Sequence, residues 1–403
     1  MKTNPTRKIA IVGAGPAGLM AAEVLSNFAE NEIHIFEQKP SAARKFLMAG
    51  KTGLNISHAE SIEQFITRYD RKDWLSPWVR KWDAKWIQDW MKSLGIDSYV
   101  GSSGRIFPNE MKAAPLLRAW LKRLIEAKVK FYYRHQVESL KDNQLIIRDL
   151  KNDQAIDLTF DAIILACGAI SWSQLGSDGA WQQWLSNEEV EDFEPSNAGV
   201  LKNWSRFMES TFGMPLKRVA AWVNPNEKSV GDIVISHYGL ESGLVYKQSR
   251  VLREQYKSQG FMQLNLDLLP EISIDEIISR LSVSKKQSTN NVWRKLGLDI
   301  AKSNLLRELV SKEHWNDALY MANSIKHLIV KLEGFRPIEE AISCAGGIKQ
   351  TALNEKLQLK SNPYVFCCGE MLDWDAPTGG YLLTACFATG RAAAEGVIQN
   401  FNN

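Results

Sequence analysis

Residues 8–38 read K-I-A-I-V-G-A-G-P-A-G-L-M-A-A-E-V-L-S-N-F-A-E-N-E-I-H-I-F-E-Q, and this stretch restricts the possible folds more than any other in the chain. An apolar run at residues 9–12 enters Gly13-Ala14-Gly15-Pro16-Ala17-Gly18. A helical stretch follows, and a second apolar run at residues 33–36 ends in Glu37 and Gln38. Gly13 permits a tight turn, Gly15 lets backbone approach a pyrophosphate, and Gly18 lets helix and strand pack closely. A helix starting there offers free N–H groups and the positive end of its dipole to phosphates. Glu37, 24 residues beyond Gly13, stands where a carboxylate grips ribose hydroxyls. The glycine pattern alone is weak evidence. Strand, loop, helix, strand and acid in that order make a dinucleotide cradle, with Gly13, Ala14, Gly15, Pro16, Ala17, Gly18, Glu37 and Gln38 as its contacts.

With 403 residues the chain can hold two or three domains with sizeable cores. Its net charge of +3 is spread over interspersed acids and bases, which argues against a nucleic-acid arm or a basic membrane patch. Residues 1–8 are polar and lack the apolar stretch of a signal peptide, and no run reaches the roughly 18 apolar residues of a membrane span. Cys167, Cys344, Cys367, Cys368 and Cys386 sit mostly in apolar runs with no CxxC or zinc spacing. The expectations are therefore a reducing cytoplasm, no structural metal, and neither nucleic acid nor membrane as a partner.

The two ends of the chain read as α/β and the middle does not. Trp74, Trp78, Trp82, Trp86 and Trp90 recur every four residues, which predicts one helix opened near Ser76 and Pro77, with an aromatic stripe drifting by about 40° per step. Packing of that stripe on the body is the plain reading; a ligand wall or partner surface is the alternative. Gly104-Arg105-Ile106-Phe107-Pro108 precedes a helix near 113–127 and a strand near 129–133. A hairpin-like stretch at 137–147 and 155–160 leads into the short apolar strand that ends in Ala166-Cys167-Gly168. From about 195 to 343, strand-like pieces (216–223, 231–235, 261–266) surround a polar helical stretch at 273–326, with a Ser/Lys/Asn-rich loop at 282–291. The expected domains are a nucleotide-binding domain at 1–194 and 344–403, an inserted β-rich domain at 195–268 and 327–343, and a helical cap at 269–326. A buried strand in 363–370 ends in Gly369-Glu370, and Pro377-Thr378-Gly379-Gly380 opens a helix at 381–398 rich in Ala and Gly.

Five motifs in order carry a resemblance that spans nearly the whole chain. They are G-A-G-P-A-G, R-K-F-L-M-A-G-K-T-G-L-N-I-S, G-R-I-F-P-N-E-M-K-A-A, I-L-A-C-G-A-I-S-W-S-Q-L-G-S-D-G and C-C-G-E-M-L-D-W-D-A-P-T-G-G-Y-L-L-T-A-C-F-A-T-G. They resemble the bacterial flavoproteins that include BaiN and the aminoacetone oxidases. That likeness implies bound FAD on an α/β, glutathione-reductase-like Rossmann domain, and an inserted β-rich domain whose helical cap lies over the isoalloxazine. The family's second motif usually reads S-G-x-G-R-C-N. Here Gly53 and Leu54 replace its arginine and cysteine while Asn55 matches, changes that resemble a proteobacterial subgroup.

Beyond the first cradle, Lys45 stands where a cation approaches the pyrophosphate, with a solvated lysine as the alternative. Val137 is a candidate backbone contact to adenine, with ordinary strand packing as the alternative. Ala166 and Gly168 end a buried strand where only small residues admit ribose or adenine. Gly369, Glu370 and Asp373 are candidates for the ribityl chain. The last helix starts at Gly380, Tyr381 and Leu382, and in flavoproteins of this architecture that start points at the N1–C2=O edge of the ring. Asn55 is a further cofactor contact. His237, Tyr381 and Asn55 are the candidate catalytic residues, since a flavin needs orientation and at most one base from the protein. Arg105 and Arg336 are candidates for an anionic substrate. Cys367 and Cys368, successive in a strand, point to opposite faces and make no redox disulfide.

The sequence thus predicts an FAD-dependent oxidoreductase acting on a small organic substrate. It shows no second strand–GxGxxG–helix unit for a bound nicotinamide and no Cys-x4-Cys centre, so NAD(P)H is expected only as a transient co-substrate, with O₂ as the competing acceptor. Two alternatives are an FAD-binding regulatory or structural protein without turnover, and an FAD- and folate-linked RNA-modifying enzyme. The near-neutral charge disfavours the second. The oligomeric state is open.

Overall fold

The computed structural model describes residues 6–51, 53–282 and 288–402. Thr52 of the second motif, residues 1–5 of the polar start and residues 283–287 of the Ser/Lys/Asn-rich loop lie outside the described residues. The chain divides into two compact units, Met1–Glu194 with Ser343–Asn403, and Pro195–Ile342.

The first unit is built on a five-stranded parallel sheet. Its order is Val365–Cys367, Ala162–Leu165, β1 (Arg7–Val12), β2 (Asn31–Glu37) and Lys130–Tyr133. The central strands carry unbroken apolar runs because helices cover both faces; Ile9, Ile11, Ile163 and Ile164 are fully buried. Helix α1 (Pro16–Leu25) follows β1 and packs on the C-terminal helix Tyr381–Phe401. Small residues set that distance: a Cβ on Gly390 would fall 2.3 Å from the Ala17 carbonyl oxygen.

The tryptophan stripe does not form one helix. Two helices, Lys72–Lys81 and Ala84–Ser93, share it, and Pro77 lies inside the first instead of opening it. The carbonyl of Asp73 that Pro77 cannot bond is taken by the Ser76 hydroxyl at 3.4 Å. The break comes at Asp83, whose carboxylate accepts the Trp86 N–H at 2.9 Å and restarts the helix. This resets the drift of the stripe. Trp90 then packs on Trp120 and Phe387, while Trp82 and Trp86 flank the guanidinium of Arg391. The hairpin-like stretch is a three-stranded meander of His135–Lys141, Gln144–Asp149 and Gln154–Thr159.

The second unit has a seven-stranded antiparallel sheet in the order Leu328–Leu332, Met262–Asp267, Pro215–Trp222, Ser229–Ser236, Gly239–Glu241, Val200–Leu201 and Gly334–Phe335, with the last two pairs short. The helices Ile274–Ser282, Thr289–Leu296, Ile300–Leu309 and Ala318–Lys326 share one core with this sheet, through Leu264 and Leu266 on the strands and Ile277, Trp293, Leu305 and Ile325 on the helices. Asp267 ties the two layers together. Its carboxylate is 1% exposed, accepts the Leu269 N–H at 3.1 Å, and pairs with Lys326 at 2.8 Å and Lys228 at 3.0 Å. Among the described residues no helix is long and apolar enough to cross a membrane, and no cluster of His, Cys, Asp and Glu is placed to hold a metal.

Asp267→Ala is expected to lower the stability of the second unit by about 2–3 kcal/mol, since it leaves the buried Leu269 N–H without its acceptor and takes the counter-charge from Lys326, which keeps only the Leu269 and Ile272 carbonyls. Urea denaturation of the variant against the parent chain measures this.

Candidate functional site

Because all five strands of the first sheet are parallel, their carboxyl ends lie on one edge. The chain leaves β1 for β2 on one side and later returns to Ala162–Leu165 on the other. That change of direction opens a crevice beyond the strand ends, where α/β sheets bind ligands. Gly13 turns there at φ +104°, and a Cβ on it would lie 2.4 Å from the Ala166 carbonyl oxygen. A Cβ on Gly18 would lie 2.1 Å from the Gly13 oxygen. Gly15 is the opposite case, since its φ is −78° and nothing lies within 4 Å of where its Cβ would stand. It caps α1 without any side-chain hydrogen bond, and Pro16 occupies the first turn. The result is an open helix N-terminus with a clear approach.

Around this turn, Glu37 accepts the Ala14 N–H at 3.0 Å and the Lys39 N–H at 2.8 Å. Burial nevertheless pushes its carboxyl above the usual carboxylate range, against those two bonds. Gln38 donates to the Gly176 carbonyl at 2.6 Å and to Asp178 at 3.1 Å, which ties the fourth motif to the end of β2. Gly168 adopts φ +73°, and its carbonyl accepts the Trp181 indole N–H at 2.9 Å. Val137 is buried in the meander, at a bulge between Val137 and Ser139. Lys45 is no free surface lysine: its ammonium bonds Ser171 at 3.0 Å and Glu370 at 3.2 Å.

The last strand delivers Gly369, in the left-handed region at φ +83°, whose Cβ would stand 2.9 Å from that of Ala17. Asp373 is 7% exposed, and its carboxylate accepts the Arg71 guanidinium at 2.7 Å. Gly379 and Gly380 both have positive φ, and Gly380 caps the C-terminal helix with no side-chain bond, so a second helix N-terminus is left open. A Cβ on Gly380 would lie 2.4 Å from the Ser57 Cα. This brings the second motif against the fifth. The third motif joins them, for the Leu54 N–H bonds the Met111 carbonyl at 2.7 Å and the Ile56 N–H bonds that of Ile106 at 2.9 Å. Asn55, in the middle of this junction, has a buried side-chain oxygen that accepts no hydrogen bond from the described residues. Leu382 is partly buried against the core. Tyr381 is 5% exposed and its hydroxyl donates to Glu60 at 2.6 Å.

The other candidates lie differently. His237 is exposed on the turn after Ser229–Ser236 in the second unit, with its ring against Tyr238. Arg105 is exposed at the start of a short strand. Arg336 is held by Glu340 and stacks on Tyr238. Cys367 and Cys368 are fully buried free thiols, and burial pushes both well above the usual thiol range. Sequence reasoning passed over Arg71, Ser171 and Glu60. Arg71 and Glu60 sit in no spacing pattern, Ser171 lies inside the fourth motif without standing out in it, and each reaches a partner across the fold. A cavity of about 450 Å³ beside the first cradle is lined by Arg44, Lys51, Lys112 and Ser41 with no acid among its walls.

A family model described as the HI0933-like protein Rossmann domain matches residues 7–396. The chain belongs to the HI0933-like family. It is 23% identical to the 3-dehydro-bile acid delta(4,6)-reductase of Clostridium scindens, over 96% of this chain and 99% of that one. Its structure is similar to the open conformation of a flavocytochrome c3 fumarate reductase (TM-score 0.54, 13% identity, 100% of this chain and 80% of that one). It is also similar to the 3-ketosteroid-delta4-(5alpha)-dehydrogenase of Rhodococcus jostii (TM-score 0.51, 12% identity, 98% of both chains). At these identities the structural likeness speaks for the fold: an α/β, Rossmann-like FAD-binding class with an inserted β-rich unit.

The three glycines of the first turn separate by experiment. Gly13→Ala and Gly18→Ala force a Cβ into backbone and should each destabilise the ligand-free protein by about 1–3 kcal/mol. Gly15→Ala should leave its thermal midpoint within a degree or two of the parent, which differential scanning calorimetry resolves.

Proposed function

We propose that this chain is an FAD-dependent oxidoreductase that moves hydride between FAD and a small organic substrate or NAD(P)H. The observation that carries the reading is the crevice at the carboxyl edge of the parallel sheet. There an uncapped helix start at Gly15, an empty approach over it, and a second uncapped helix start at Gly380 belong to the same unit as the buried, unsatisfied oxygen of Asn55. These features fit an elongated ligand with phosphates at one end and a ring bearing hydrogen-bond donors at the other.

In this reading the amide groups of Ala17 and Gly18 hold the pyrophosphate, and the dipole of α1 stabilises its charge. Glu37 receives the adenosine ribose hydroxyls, and Gln38, Ala166, Gly168 and Val137 border the adenosine. Lys45, Glu370 and Asp373 border the ribityl chain, with Lys45 balancing phosphate charge. Asn55 uses its free oxygen to accept from the ring edge, and Gly380, Tyr381 and Leu382 present backbone N–H groups to it. Bound there, FAD supplies the hydride chemistry, and the protein supplies orientation and a positive helix end that favours the reduced, anionic ring. The names of the Clostridium and Rhodococcus relatives describe redox at ring carbons of keto-bearing steroids, which supports hydride exchange with carbon here as well. His237 is retained as a candidate base only on its chemistry.

Purified protein is expected to carry FAD or to take it up at one equivalent, giving the flavin visible spectrum, and to be bleached anaerobically by NADH, NADPH or an organic donor. Protein that is folded, colourless and unable to take up FAD overturns the proposal. A flavin that no such donor reduces assigns the chain to binding without turnover. Gly15→Ala, which leaves the fold intact, should weaken FAD by at least ~10-fold, or about 1.4 kcal/mol.

Glu37 adds a pH dependence with a defined sign. Its folded pKa is raised by burial above the ordinary 4.5. In the ligand-free protein its stabilising contribution is therefore complete below that value and lost as pH rises through the raised one. Ribose hydroxyls donate to the ionised carboxylate, so FAD affinity should rise with pH across the same window. Glu37→Gln should flatten the slope in a fluorescence titration of FAD from pH 4.5 upward.

A further inference from the structure

One buried carboxylate has no part in the cradle described so far. Glu60 follows the short strand Ser57–His58, and its side chain is 8% exposed. Arg68 grips both of its oxygens, Nε at 3.1 Å and Nη2 at 2.5 Å, and the Tyr381 hydroxyl donates to Oε1 at 2.6 Å. Burial alone would raise this carboxyl, but the bonds from Arg68 and Tyr381 outweigh it and hold the group below the usual range. The backbone N–H of Glu60 donates to Nδ1 of His58 at 3.1 Å, and Nε2 of the same ring meets the Ser103 carbonyl at 3.0 Å. Those two bonds together place the ring proton on Nε2.

Everything in this cluster converges on the first turn of the C-terminal helix. The Tyr381 ring packs on His58, at a centroid distance of 5.7 Å, and on Phe65, at 4.7 Å. Its backbone carbonyl accepts the Tyr69 hydroxyl at 2.8 Å. Ser57 and Thr384 share a hydrogen bond at 2.9 Å, and the Thr384 N–H and hydroxyl both bond the Gly380 carbonyl. Gly380 itself, at φ +95°, sits against the Ser57 backbone. A turn of two glycines in the left-handed region has little conformational preference of its own. Its register is therefore set by what holds the residue after it, and the charged bond from Glu60 is the strongest of those holds.

We propose that Glu60, clamped by Arg68, is a positioning residue that fixes the Gly379-Gly380-Tyr381 turn through the Tyr381 hydroxyl, and so aims the N-terminus of the last helix at the flavin ring. The proposal rests on the FAD reading above. It assigns Tyr381 to holding the turn, with its phenol engaged by Glu60, and it makes the reduction potential of the flavin depend on a carboxylate that touches neither cofactor nor substrate. Loosening the turn weakens the helix dipole at the reduced ring more than at the oxidised one. The affinity ratio of reduced to oxidised FAD should fall about tenfold, which is ~30 mV in the midpoint of a two-electron couple.

The test is the flavin midpoint potential of the FAD-loaded parent chain, Glu60→Gln, Tyr381→Phe and the double variant, each checked for folding by near-ultraviolet circular dichroism. The expected result is a lower potential in both single variants and no further drop in the double, because Glu60→Gln strips the charge from the same bond that Tyr381→Phe deletes. Tyr381→Phe keeps the stacked ring and deletes one oxygen, so it carries the test if Glu60→Gln does not fold. Potentials equal to the parent in folded, FAD-loaded variants overturn the role of Glu60 and leave the FAD reading standing. A parent chain that takes up no FAD overturns the FAD reading itself, and the proposal with it.

Discussion

The first unit depends on backbone approaching backbone more closely than any side chain allows. At Gly13, Gly18 and Gly390 an added Cβ would stand 2.1–2.4 Å from a carbonyl oxygen of another segment. These contacts bring α1 down onto the end of β1, bring the strand Ala162–Leu165 against the turn, and lay the C-terminal helix across α1. The consequence is geometric. Three stretches far apart in sequence meet at one place, the carboxyl edge of the sheet, and the residue left with open space there is Gly15.

Charge is used in the two units for different ends. In the second unit Asp267 is enclosed by two lysines and a backbone N–H, and it joins a strand end to a helix end. In the first unit the carboxylates gather around the open edge. Glu37 is held by backbone donors, Glu370 by Lys45, Asp373 by Arg71 and Glu60 by Arg68. Lys45–Glu370 and Arg71–Asp373 join residues 325 and 302 apart in sequence, whereas Arg68 holds Glu60 from eight residues away. The cations therefore neutralise the edge and also fix the relative positions of segments that share no secondary structure.

Much of this architecture was legible in the chain because it depends on local pattern. The apolar runs of the parallel strands, the glycine turn, Glu37 and the small-residue last helix carry their meaning within a few residues. The tryptophan stripe shows where local pattern misleads. A spacing of four suits one long helix, but a capping aspartate at Asp83 breaks it, and Pro77 is tolerated inside because a neighbouring hydroxyl takes the freed carbonyl. The partners of the site carboxylates were not legible at all. Arg71 lies 302 residues from Asp373, Lys45 lies 325 from Glu370, and Glu60 lies 321 from Tyr381. No periodicity or spacing rule reaches over such separations.

What the order of amino acids settled alone is the class of fold and the glycine turn after the first strand, since both follow from backbone permissiveness and runs of apolar residues over short spans. Only the folded chain decided that Lys45 is paired and not solvated, that the Tyr381 phenol is bound, that Asn55 keeps a buried oxygen free, and that the helices of 273–326 share one core with their sheet. The physical reason is common to all four. Whether a polar group is satisfied or left open depends on which distant segment is brought beside it, and that is a property of packing in three dimensions.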